Sequence, residues 1–388
     1  MPRRDLRAVA IGVAGVANFL NLYTPQAILP ALAESFAMSP AAAGLAVTAP
    51  LLAVAVVAPF AGAISDRVGR RVLIVGAMFL LVIPTLLIAT SPSLDILLLW
   101  RFLQGLLLPF IFAVAVAYVG DEIPGPAGIK AAGLYSAGCI LGGFGGRLIA
   151  GLVAEYAGWR MGFVAIAGLT LFSAVFVALT LWPERNFQPV TGGIGGILRS
   201  YAGHLRNRRL LATCLIGFGM LFGNVAVYSF VNFYLAAPPF SLGPAQLGLV
   251  FVVYMLGIVT TTIASRLAIR IGRITTLALS LGLAAIGLGL TLVPVTASVI
   301  AGLACISGGL LVVQALCLGV IPVLVTGARS SAVGLYVTIY YIGGALGGFV
   351  PAVAWHRDGW PGVVAVVAVV LVGMMALAAW QWPRRAVA

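Results

Sequence analysis

Apolar runs alternate with short polar breaks along the whole chain. Twelve runs have about the length needed to cross a hydrocarbon core. They fall at about 8–33, 45–64, 72–89, 94–119, 129–154 and 159–181, and then at 210–236, 247–268, 275–293, 299–324, 332–355 and 363–382. The start, Met1–Arg7 followed by apolar residues, mimics a signal peptide, but the run continues to about residue 33 and reads as the first span. The pattern predicts an all-α membrane protein with twelve transmembrane helices. The longest polar stretch, 183–209, is rich in Gly and Arg and reads as a cytoplasmic linker. It divides an N-terminal six-helix bundle, 1–182, from a C-terminal one, 210–388.

The two halves repeat. Gly133-Leu134-Tyr135 returns as Gly334-Leu335-Tyr336, Gly142-Gly143 as Gly343-Gly344, and Gly158-Trp159 as Gly359-Trp360, each 201 residues on. At an offset of 203, Gly69-Arg70 returns as Gly272-Arg273 and Asn21 as Asn224. A period covering six spans implies duplicated bundles related by an axis along the membrane normal.

Composition narrows the class. Only 8% of the 388 residues are charged and 62% are hydrophobic, against about 25% charged in soluble domains. The net charge of +13 would point to nucleic acid in a soluble protein. Here the basic residues mark one face of the membrane. With both termini inside, all basic residues but Arg101, Arg147, Arg160 and Arg357 fall at inner ends and loops. The four cysteines, Cys139, Cys214, Cys305 and Cys317, lie inside apolar spans and read as small packing residues. His204 and His356 fall in loops, and no metal-ligand cluster, P-loop or catalytic triad pattern is present. The chain is therefore expected to be no enzyme and to need no metal or cofactor.

One loop carries the most specific signal. Between the second and third spans runs Gly62-Ala-Ile-Ser65-Asp66-Arg67-Val-Gly69-Arg70-Arg71, in which glycine permits the sharp turn and the arginines hold the loop inside. Asp66 is an acid in a basic loop, placed to cap or lock a helix end. Gly-x-x-x-Asp-Arg-x-Gly-Arg-Arg at this place resembles the signature loop of the major facilitator superfamily of transporters. The resemblance makes Asp66, Arg67, Gly69 and Arg70 the expected conformational lock. The second half has Ile269 where the first has Asp66, so only one half carries the acid.

Two further motifs resemble the same family. In the fifth span Gly133, Gly142, Gly146 and Gly151 match an element associated with antiporters, Gly-x8-Gly-x3-Gly-Pro-x2-Gly-Gly, but Arg147 stands in place of the proline and Ala150 in place of a glycine. Small residues at this spacing also let two helices approach closely. In the fourth span Arg101-Phe-Leu-Gln104-Gly105 resembles an Arg-x-x-Gln-Gly element whose arginine is tied to proton movement or substrate contact.

Polar side chains inside spans are costly unless they serve a cavity or another helix. The first span holds Asn18, Asn21, Tyr23 and Gln26. Arg101, Arg147 and Gln26 each lie seven residues inside an outer helix end, roughly 10 Å deep, and are expected to form one polar layer. Arg101, Gln104 and Arg147, with Asn224, Tyr228 and Asn232 along one face of the seventh span, and Gln314, Tyr340 and Tyr341, complete the expected substrate site. No Asp or Glu lies in mid-span. Proton coupling would then use Glu34, Asp95 or Glu155 at outer helix ends, through Arg101 or Arg147.

The resemblance is greatest to the twelve-helix drug–proton antiporters of bacteria. It implies a monomeric secondary active transporter, among the lipids of the inner membrane, that moves a small organic solute by alternating access. Proton-coupled efflux of drugs or metabolites, with multidrug resistance as an outcome, is the first expectation. Transport of an organic anion by the Arg101/Arg147 layer is the alternative. A membrane sensor is disfavoured, since nothing resembles an output domain.

Overall fold

A computed structural model describes residues 3–123, 125–184, 201–325 and 329–382. The described residues are helical almost throughout. In chain order the helices are α1 (Arg3–Tyr23), α2 (Leu29–Ser35), α3 (Pro40–Val68), α4 (Arg70–Ala89), α5 (Leu94–Leu107), α6 (Pro109–Glu122) and α7 (Pro126–Thr180), followed by α8 (Arg208–Ala236), α9 (Pro244–Val250), α10 (Leu256–Ile271), α11 (Arg273–Thr291), α12 (Thr296–Leu324), α13 (Arg329–Gly347) and α14 (Pro351–Gln381). Nine helical stretches among the described residues are long and apolar enough to cross a membrane, with shorter apolar helices at Pro244–Met255 and Ser331–Gly347. Most of the expected linker, residues 185–200, lies outside the described residues, as do Arg384 and Arg385.

Glycine sets the turns at which one span becomes the next. Gly69 (φ 102°) separates α3 from α4, and Gly272 (φ 86°) separates α10 from α11. Within α7 the helix breaks at Gly158 (φ 81°, ψ 159°), and within α14 at Gly359 (φ 60°, ψ −139°). A side chain at such angles would clash with its own backbone, so only glycine turns the chain there cheaply. These are the residues that repeat at offsets of 203 and 201, so the duplication read from the letters is also a duplication of backbone conformation.

The close helix pairs repeat as well. A Cβ at Gly142 or Gly146 of α7 would collide with the carbonyls of Val16 and Leu20 on α1. A Cβ at Gly343 or Gly347 of α13 would meet those of Phe218 and Phe222 on α8 in the same way. Backbones that touch in this manner pack by dispersion with no side chain between them.

The first expected span is not one helix. Pro25 has no N–H to donate to the Asn21 carbonyl four residues back. The chain passes into a 3-10 segment, Thr24–Ile28, before α2 resumes. A second 3-10 segment, Phe251–Met255, interrupts the eighth span between α9 and α10.

Contacts sort the chain into two compact units. The first comprises Met1–Met38, Ala49–Ile194 and Gly243–Phe251, and the second Ser39–Thr48, Gly195–Leu242 and Val252–Ala388. Residues 39–48 group with the second unit because Thr48 Oγ1 donates to Ala345 O at 2.9 Å and Gly44 lies against Gly348. Residues 243–251 group with the first because Gly248 seats on the Arg147 main chain.

Candidate functional site

The first unit holds two buried guanidiniums, Arg101 at 0% exposure and Arg147 at 2%. Arg101 lies on α5. Its Nη1 donates to Asn21 O at 2.9 Å and its Nη2 to Leu22 O at 2.7 Å. These carbonyls belong to the last turn of α1, and Asn21 O is the one that Pro25 cannot serve. Arg101 thus supplies donors that the broken helix lacks, with its positive charge at the negative end of the helix dipole.

Around it runs a continuous hydrogen-bonded core. Gln104 Oε1 accepts from Arg101 Nη1 at 2.5 Å, and Gln104 Nε2 donates to Thr85 Oγ1 at 2.6 Å. Thr85 Oγ1 donates to Asn21 Oδ1 at 2.8 Å, and Asn21 Nδ2 donates to Thr170 Oγ1 at 2.8 Å. Four spans are tied together by one set of amides and hydroxyls. In so dry a place each bond is strong and each lost partner is costly.

Arg147, on α7, has different surroundings. Its Nε donates to Gln26 Oε1 at 2.8 Å, its Nη2 donates to the same oxygen, and its Nη1 donates to Gly143 O at 2.7 Å. The guanidinium carbon lies 4.5 Å from the centroid of the Tyr23 ring and 4.4 Å from that of Phe251. Cation–π contacts at this range offset part of the cost of burying the charge. Gln26 lies within one 3-10 segment and Phe251 begins the other, so a residue from each 3-10 interruption meets a single cation. In membrane transporters interrupted helices of this kind mark the substrate site.

In the second unit Tyr228, on α8, donates to Leu303 O at 2.7 Å and is hydrogen-bonded to Ser307. Its ring lies 4.6 Å from that of Tyr254, which donates to Asn224 Oδ1 at 2.7 Å. Asn232 Nδ2 donates to the Tyr228 carbonyl at 2.6 Å. Tyr340 and Tyr341 of α13 meet edge to face at 5.3 Å, and Gln314 of α12 is half-buried. In the first unit Asn18 is fully buried, with no hydrogen-bond partner for either polar atom of its side chain.

The expected single layer is divided. Gln26 joins Arg147, whereas Arg101 holds the Asn21–Leu22 carbonyls about one helical turn away. Glu34, Asp95 and Glu155 are exposed, and Glu155 Oε2 accepts from the Ala245 amide at 3.2 Å. In the signature loop Arg70 pairs with Asp66 at 3.2 Å and with Asp121 at 2.5 Å. Arg67 is exposed, and Gly69 provides the turn.

Thr85, Thr170, Asp121, Glu184, Phe251, Tyr254 and Ser307 were not legible as site residues. Isolated hydroxyls and phenyl rings in apolar spans carry no pattern. Asp121 lies beyond the expected end of the fourth span at 119, whereas α6 runs on through Glu122. Among the described residues no cluster of His, Cys, Asp and Glu could hold a metal ion.

Comparison with known proteins agrees with this architecture. The model of the Major Facilitator Superfamily matches residues 11–241. The uncharacterized MFS-type transporter YybF of Bacillus subtilis (strain 168) is 31% identical, over 93% of this chain and 90% of its own. The inner membrane transport protein YnfM of Escherichia coli (strain K12) is 30% identical, over 94% of this chain and 87% of its own. Among solved structures the nucleoside transporter NupG shares the fold with a TM-score of 0.77 at 15% identity, covering 97% of this chain and 100% of that one. A bacterial homolog of the human lysosomal transporter Spinster has a TM-score of 0.73 at 16% identity, covering 98% and 95%. Sequence motifs, duplicated bundles and these likenesses lead to one conclusion: the chain belongs to the major facilitator superfamily of membrane transporters.

Proposed function

We propose that the chain carries a small organic anion across the cytoplasmic membrane of a bacterium by alternating access, as a monomer with both termini inside. The observation that carries this reading is the setting of Arg147. A permanent cation, buried at the meeting point of two helix breaks, donates hydrogen bonds to the neutral oxygens of Gln26 and Gly143. The sequence supplies no acid in mid-span, and Glu34, Asp95 and Glu155 are exposed. A low-dielectric site with this charge attracts an anion and repels a cation.

Proton-coupled efflux of drugs or metabolites is the second reading. The resemblance of Gly133, Gly142, Gly146 and Gly151 to the antiporter element favours it. Protons would then enter through the acids at the helix ends.

Purified protein in proteoliposomes distinguishes the two. With a panel of labelled organic anions and cationic dyes, the first reading expects anion uptake without ATP. Arg147→Gln should weaken anion binding by about one to two orders of magnitude, as for a lost charge-assisted contact of about 1.5–3 kcal/mol. Dye transport driven by a pH gradient, unaffected by Arg147→Gln, would overturn the anion reading in favour of efflux.

A further inference from the structure

We infer that Gln26 holds the place of the substrate's carboxylate on Arg147, and that transport substrates bind by displacing it. This rests on the anion reading of the site and adds both the chemical class of the substrate and the internal competitor it must remove.

The geometry of the fork motivates it. Nε and Nη2 form the edge of a guanidinium that matches the two oxygens of a carboxylate. Here both donors of that edge converge on the single Oε1 of Gln26. One neutral oxygen does the work for which the edge is shaped to take two charged ones. Gly143 O occupies Nη1, outside that edge.

The chemistry of the stand-in fits a resting state. A buried guanidinium needs an acceptor when no substrate is bound, since leaving it bare in the membrane is costly. A glutamate would meet that need permanently and shut the site to anions. An amide meets it more weakly, because it lacks the opposite charge that a carboxylate brings to a guanidinium in a low-dielectric site. Gln26 also stands on a 3-10 segment of poorer hydrogen-bond geometry, which can change conformation at lower cost than an α-helix. The rings of Tyr23 and Phe251 beside the cation would face the apolar body of the same substrate. The class indicated is a monocarboxylate with an apolar or aromatic body.

Thermal-shift and calorimetric titrations of the purified full chain test this, with monocarboxylates from acetate to naphthoate and their neutral amides. Wild-type protein should bind at least one of these carboxylates and none of the matching amides. Gln26→Leu removes the competitor at similar volume and should tighten carboxylate binding about tenfold or more. Gln26→Glu fills the fork with a fixed anion and should abolish carboxylate binding while raising the melting temperature, which controls for a Leu variant that fails to fold. If Arg147→Gln leaves carboxylate affinity unchanged, the anion reading itself fails. If Arg147→Gln abolishes binding, while Gln26→Leu does not tighten it or Gln26→Glu still binds carboxylate, the anion reading stands and the stand-in is wrong. Failure of every carboxylate in the panel to bind wild-type protein overturns the proposal.

Discussion

Arg71 and Glu184 cap each other's helices. The Arg71 amide, in the first turn of α4, donates to Glu184 Oε1 at 2.9 Å, and the Arg70 amide donates to the same oxygen. In return the Arg71 side chain donates from Nε to Leu181 O at 2.6 Å and from Nη2 to Ala178 O at 2.9 Å, at the end of α7. A carboxylate at a helix N-terminus and a guanidinium at a C-terminus each oppose the local dipole. Glu184→Ala should lower stability by about 1 kcal/mol, read as a fall of a few degrees in melting temperature in detergent. Glu184→Gln should keep part of it. Unchanged melting in both would show that the cap contributes nothing.

Arg70 is shared between two acids, and the closer one is not in the signature loop. If the loop acts as a conformational lock, Asp121→Asn should slow transport at least as much as Asp66→Asn. Both variants should leave expression and substrate affinity near those of the parent. Both carboxylates are substantially exposed, so little stability is at stake. Initial transport rates in proteoliposomes decide the matter. Parental rates in both variants would remove the lock.

Arg101 should behave as a scaffold residue. Arg101→Gln leaves the carbonyls of Asn21 and Leu22 without their donors in a buried site, at about 1–3 kcal/mol for each. The variant should unfold more readily than Arg147→Gln, and Thr85→Val should fall between Arg101→Gln and the parent. Denaturant titration of the three proteins gives the order. An Arg101→Gln protein that keeps its stability and loses substrate would make Arg101 a substrate contact instead.

The glycines of α7 make an internal comparison. Gly142→Ala forces a methyl into the Val16 main chain and should cost about 1–3 kcal/mol. Gly145→Ala meets nothing within 4 Å. It should be neutral or slightly stabilising, since alanine is the better helix former by about 1 kcal/mol. Equal melting temperatures for the two variants would contradict the close contact of α1 and α7.

Much of the architecture was legible because hydropathy counts spans and the glycine pairs repeat at fixed offsets. The break after Tyr23 was harder to read. Pro25 was visible, but proline in a membrane helix often only bends it, and which carbonyl is orphaned depends on where a donor stands in another span. The same limit hid Thr85 and Thr170, single hydroxyls whose value comes only from meeting Asn21. Gln26 and Arg147 could be placed at one depth by counting from helix ends. That Arg101 served a different set of acceptors could not, because depth says nothing about direction around the helix axis.

The two arginines differ in what their loss would mean over evolutionary time. Arg101 is bound into the end of α1, and replacing it strips the Asn21 and Leu22 carbonyls of their donors whatever the protein carries. Arg147 stands where the family's usual proline is absent, and its hydrogen bonds to Gln26 and Gly143 ask little of the rest of the bundle. If Arg147 holds the substrate as proposed, cargo can change by altering Arg147, Gln26 and the two rings beside them while the helix-ending arginine stays put. On that reading specificity is free to drift, because the support it stands on is held by other residues.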